Sequence, residues 1–95
     1  MTVEDLREEL EKTVAALTVS GFDDIDSGTV ENLDKLAAAA GELILKEGKK
    51  LIENLSGAIK SIKDQKSTAE SGHLRLTALE FYLKKLAGGE NTEDL

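Results

Sequence analysis

The chain has no cysteine in its 95 residues, so no disulfide can brace it and no thiolate can hold a metal. That usage fits a reducing compartment. Proline is absent too, which leaves glycine and side-chain capping as the punctuation available to helices. There is no tryptophan, and Phe22, Phe81 and Tyr82 are the whole aromatic set, so a core has to be assembled from Leu, Ile, Val and Ala. No apolar run approaches the roughly 18 residues of a membrane span. The opening Met1-Thr2-Val3-Glu4-Asp5 is acidic, where a secretory leader would begin basic and turn apolar. These absences predict a cytoplasmic protein with no membrane partner.

The residues present are those of a globular helical protein. Forty per cent are apolar and a third are charged, a balance that supports one packed core and lies outside the signature of disorder. Ala, Leu, Glu and Lys dominate while β-branched residues are scattered, which favours helices over strands. The net charge of −7 argues against a nucleic-acid partner, because neutralising phosphates supplies most of that affinity. The charge is uneven. Residues 1–45 carry −8, residues 67–95 carry −2, and residues 46–66 carry +3 through six lysines set against Glu47, Glu53 and Asp64.

Spacing places the helices. Val3, Leu6, Leu10, Val14 and Leu17 recur every three or four residues, and Thr2 with Asp5 nearly matches a capping box, so a helix is predicted over 3–18. The glycines and Asp/Ser cluster of Ser20 to Gly28 predict a loop, with Phe22 and Ile25 tucked beneath it and Asp26, Ser27 or Gly28 capping the next helix. From Val30 the apolar positions Leu33, Ala37, Ala40, Ile44, Leu51, Leu55, Ala58 and Ile62 hold one phase. That phase favours a single helix over 28–66, which would extend about 58 Å at 1.5 Å per residue. The alternative is a break near Gly48, at Glu47-Gly48-Lys49, which gives four helices of similar length. Gly48 could supply a left-handed cap there, although Lys49 and Lys50 are poor starts for a new helix.

A last helix is predicted over 68–87, opened by the capping box of Ser67 and Glu70 and closed by Gly88-Gly89. The fold class is therefore all-α, a small antiparallel bundle or hairpin forming a single helical domain over 1–89. Residues 90–95 read as a disordered acidic tail.

On the last helix Leu76, Leu79, Tyr82, Leu83 and Leu86 form one apolar face, and Leu74, Ala78 and Phe81 form a second arc beside it. Two arcs need two packing partners, supplied by the chain itself in a four-helix bundle or by a second chain around an extended hairpin. The candidate contact residues are Leu74, Ala78, Phe81 and Tyr82, with Lys46, Lys49, Lys50, Lys60 and Lys63 as an electrostatic patch that sets orientation. The partner is a protein or a second copy in a homodimer.

No catalytic or metal-binding constellation is recognisable, and no cofactor is implied. Asp24 and Asp26 could open a calcium loop, but Thr29 and Lys35 then occupy the positions that require Gly and Glu. No serine has a plausible triad, because His73 is the only possible base and nothing near it in sequence resembles a nucleophile motif. As an exposed helical imidazole in an acidic helical protein of this size, His73 resembles the phosphoacceptor of histidine-phosphotransfer domains. Their His-x-x-Lys-Gly pattern is not met, since Leu76 and Thr77 follow at the third and fourth positions. The reading carried forward is a non-enzymatic interaction or self-associating module, with phosphotransfer through His73 as the alternative.

Overall fold

The computed structural model describes residues 1–22 and 25–87. Four helices follow one another: α1 (Val3–Ser20), α2 (Ser27–Glu42), α3 (Lys46–Lys63) and α4 (Ala69–Ala87). Short connections force each helix antiparallel to the one before it. α2 packs closely on α3 and α3 on α4, while α1 lies between α4 and α2 and closes the ring. The result is an all-helical bundle 38 Å long and 20 Å across. The expected acidic tail and its Gly88-Gly89 stop lie outside the described residues, as do Asp23 and Asp24.

Local chemistry explains the helix ends. The Thr2 hydroxyl accepts from the Asp5 N–H at 3.1 Å and the Asp5 carboxylate accepts from the Thr2 N–H at 3.2 Å, so a reciprocal box starts α1. Gly21 ends it at φ 75°, its N–H donating to the Leu17 carbonyl at 2.8 Å. Asp26 caps α2 by accepting the Gly28 N–H at 3.0 Å.

The chain does break between 28 and 66, but ahead of Gly48. α2 stops at Glu42, and Ile44 adopts a left-handed φ of 61°. The Leu45 N–H then reaches the Ala40 carbonyl at 2.9 Å and the Ile44 N–H reaches the Gly41 carbonyl at 3.1 Å. These two bonds make a Schellman motif with isoleucine in glycine's usual seat. A continuous 58 Å helix is thus replaced by two, and α3 begins at Lys46 with no side-chain cap. The apolar phase also shifts across the break: α3 buries Ile52, Leu55 and Ile59, leaving Leu51, Ala58 and Ile62 half-buried on its flank.

A β-branched residue in the left-handed region costs about 1–2 kcal/mol, and Ile44 is 71 % exposed, so its side chain returns little by packing. Ile44→Gly should therefore raise stability by about 0.5–1 kcal/mol after glycine's extra unfolded-state entropy is counted. A melting temperature raised by a few degrees would bear this out, and a lowered one would mean that the turn depends on the isoleucine side chain.

Leu6, Leu10, Leu33, Ile52, Leu55, Ile59 and Leu79 are fully buried and make the central layer. The buried hydroxyls of Thr13 and Ser56 are both bonded across helices. Thr13 donates to the Glu9 carbonyl at 3.0 Å and accepts from the Asn32 amide at 3.3 Å, tying α1 to α2. Ser56 donates to Asp34 at 2.8 Å, and Lys60 approaches the other oxygen of that carboxylate at 3.4 Å, clipping α2 to α3.

Two glycines set how closely elements meet. A Cβ on Gly48 would stand 2.8 Å from the Tyr82 ring, and one on Gly72 would stand 2.8 Å from the Phe22 ring and 3.0 Å from Ile62. Each glycine is the floor on which an aromatic ring lies. These two contacts also fix the antiparallel register of α3 on α4.

Candidate interaction surface

α4 turns one face inward. Gly72, Leu76, Leu79, Tyr82 and Leu83 are buried against the other helices, and Leu86 is half-buried. At 100° per residue the opposite side of the helix carries Glu70, Leu74, Thr77, Phe81 and Lys84, with Ala78 and Lys85 beside them. Leu74 is 68 % exposed and Phe81 is 62 % exposed. They stand two turns apart, about 10.5 Å along the axis. Ala78 is half-buried between them.

Single exposed apolar side chains are ordinary on a protein surface. The other large ones among the described residues fall at helix ends or in a turn: Met1, Val3, Val19 and Ile44. Leu74 and Phe81 alone sit mid-helix on a common outward line. The α3–α4 register brings half-buried Leu51 to about the level of Phe81, and half-buried Ala58 to about the level of Leu74. The Lys84 ammonium lies 5.7 Å from the centre of the Phe81 ring, within cation–π range.

Of the expected contact residues, Leu74, Ala78 and Phe81 fall together on this line and Tyr82 does not. Tyr82 is 4 % exposed, its ring lying over Gly48, and so it belongs to the core. Four helices are present, yet the second apolar arc of α4 still faces out, because α1 and α3 both pack on its first face.

The lysines lie elsewhere. Lys46, Lys49, Lys50, Lys60 and Lys63 are all exposed along α3. The stem of Lys49 runs beside Gly41 of α2, Lys60 meets Asp34 of α2, and Lys60 and Lys63 line a groove with Ser27, Val30 and Glu31. Lys49, Lys60 and Lys63 follow the flank next to acidic α2, away from the Leu74–Phe81 line. The charge of Lys60 is partly spent on the Asp34 carboxylate.

His73 is exposed in the second turn of α4, and its ring meets Phe22 edge-on, centroids 5.0 Å apart at 86°. The imidazole thus covers the aromatic that seals this end of the bundle. Leu76, three residues on, is buried.

Sequence reasoning missed Gly48 and Gly72 as packing positions. Helical spacing describes one helix at a time, and the rings that need these glycines come from other elements. A groove between α1 and α2 is lined by Thr13, Asn32, Ala16 and Ile25. The Thr13 hydroxyl and Asn32 amide there are already bonded to each other. No helix among the described residues is long and apolar enough to cross a membrane. Compared with protein-family models, with curated proteins and with solved structures, the chain has no match.

Proposed function

We propose that this protein acts by binding, as a non-enzymatic helical interaction module whose contact surface is the outer line of α4. The partner that fits is an amphipathic helix offering two apolar side chains about two turns apart, with an acid and a base at opposite ends. One observation carries the reading: the bundle closes its core without Leu74 and Phe81, which remain mid-helix and exposed. Large apolar side chains that lie mostly in water, outside the closed core, are what an assembly face requires.

Supporting features are the small residues Thr77 and Ala78 between the two anchors, which allow a second helix to approach closely, and the charged ends Glu70 and Lys84-Lys85. Lys49, Lys60 and Lys63 face the α2 flank and act on a partner only at longer range. Phosphotransfer through His73 has solvent exposure in its favour. Against it stand the Phe22 contact, which occupies one side of the ring, and the bulk of Leu74 beside it.

Phe81→Glu tests the reading. Helix content should be unchanged and stability should move by less than about 0.5 kcal/mol, as for other surface substitutions, while assembly is weakened. Loss of folding in Phe81→Glu would return Phe81 to the core and remove the surface.

A further inference from the structure

We infer that the partner of the α4 line is a second copy of this chain, packed antiparallel across a two-fold axis that passes between Thr77 and Ala78. This inference rests on the reading of α4 as the contact surface and adds the identity and direction of its partner.

The outer line of α4 is self-complementary. Along the outer line the order is acid, apolar, small, apolar, base: Glu70, Leu74, Thr77 with Ala78, Phe81, then Lys84 and Lys85. An isologous interface brings one patch against itself, so residue i meets j while j meets i. Laid antiparallel, Leu74 meets the partner's Phe81, the small pair meets the small pair at the axis, and Glu70 meets the partner's Lys85. All three kinds of contact are favourable at once. Laid parallel, Glu70 would face the partner's Glu70, and lysines would face lysines. Helix dipoles add to the preference, because antiparallel neighbours set positive ends beside negative ones. The small central residues permit the 8–10 Å axis separation, roughly, at which two helices interlock.

Two large apolar anchors per protomer make a small interface, of the kind found in weak, exchanging complexes. Association is therefore concentration-dependent and fast.

The 95-residue chain has no cysteine, which permits a direct test in it. A Glu70→Cys chain mixed with a Lys85→Cys chain should oxidise to a mixed disulfide dimer, with little self-linked product from either alone. In sedimentation equilibrium, Glu70→Lys and Lys85→Glu should each weaken self-association about tenfold. The double variant, which restores opposite charges across the axis, should return to within about threefold of the native value. Self-linking of Glu70→Cys in preference to the mixed product would overturn the antiparallel arrangement.

A native chain that stays monomeric up to about 1 mM, with Phe81→Glu still folded, would overturn the second copy as partner. It would leave the α4 line open to another chain. An unfolded Phe81→Glu would remove the surface and the inference together.

Discussion

Replacing Leu55 with alanine is expected to lower the unfolding free energy by about 2–5 kcal/mol, the range for emptying a leucine site in a close-packed interior. Leu55 is fully buried in the middle of α3, and α3 is the helix packed closely on both of its neighbours. Truncation there removes contacts to two helices, and neither can collapse into the space without leaving the other. A domain of this size is stabilised by about 5–10 kcal/mol in total, so the loss takes a large part of the whole. The melting temperature should fall by about 10–25 °C, read by helical circular dichroism. Leu74→Ala supplies the contrast. It removes the same atoms from a side chain that is 68 % exposed, and it should change stability by less than about 0.5 kcal/mol. Equal losses at Leu55 and Leu74 would contradict the placement of Leu74 on the outer face of α4.

Gly48→Ala should destabilise by about 1–3 kcal/mol, the cost of forcing a methyl group into a packed interior, although alanine is favoured over glycine by about 1 kcal/mol in a helix. The added carbon would stand 2.8 Å from the Tyr82 ring, which is itself buried and cannot swing aside freely. Gly72→Ala meets the Phe22 ring in the same way. Gly57, exposed in the same helix as Gly48, has nothing within 4 Å of such a carbon. Gly57→Ala should therefore stabilise by about 0.5–1 kcal/mol, the ordinary helix gain. Opposite signs at Gly48 and Gly57, measured by urea denaturation, isolate close packing from propensity. A gain at all three positions would mean that the aromatic rings are loosely seated.

The helices themselves were legible because their determinants are local. Thr2 and Asp5 form the box that their spacing suggests, and Leu6, Leu10, Val14 and Leu17 are buried as a three-and-four repeat requires. The break between α2 and α3 was harder to see. Ile44 occupies a position where glycine is the usual signal, and it sits in an apolar Leu43-Ile44-Leu45 run that reads as continuing helix. The glycine that drew attention, Gly48, is a packing residue three positions into α3, placed there for Tyr82. The phase that ran unbroken from Val30 to Ile62 did so by following Leu51 and Ala58, each one position before a buried isoleucine, Ile52 or Ile59, and Ile62, about one turn beyond Ile59.

On α4 both apolar arcs could be read from the wheel. Which of them the rest of the chain would cover depends on how α1 and α3 approach, and no single-helix pattern contains that. Tyr82 joins the core for the same reason: its partner glycine lies on another helix. The lysines of α3 were visible as a basic segment, but the approach of Lys60 to Asp34, and its place with Lys63 beside Glu31, follow only from the packing of α3 on α2.

The assembly face is the centre of this account, and sedimentation equilibrium of the native 10.2 kDa chain beside the Leu74→Glu/Phe81→Glu double variant tests it most directly. The average mass of the native chain should climb with concentration from the monomer toward twice that value, while the folded double variant stays at the monomer. A native chain and variant that associate equally would place the interface elsewhere and contradict the role assigned to α4.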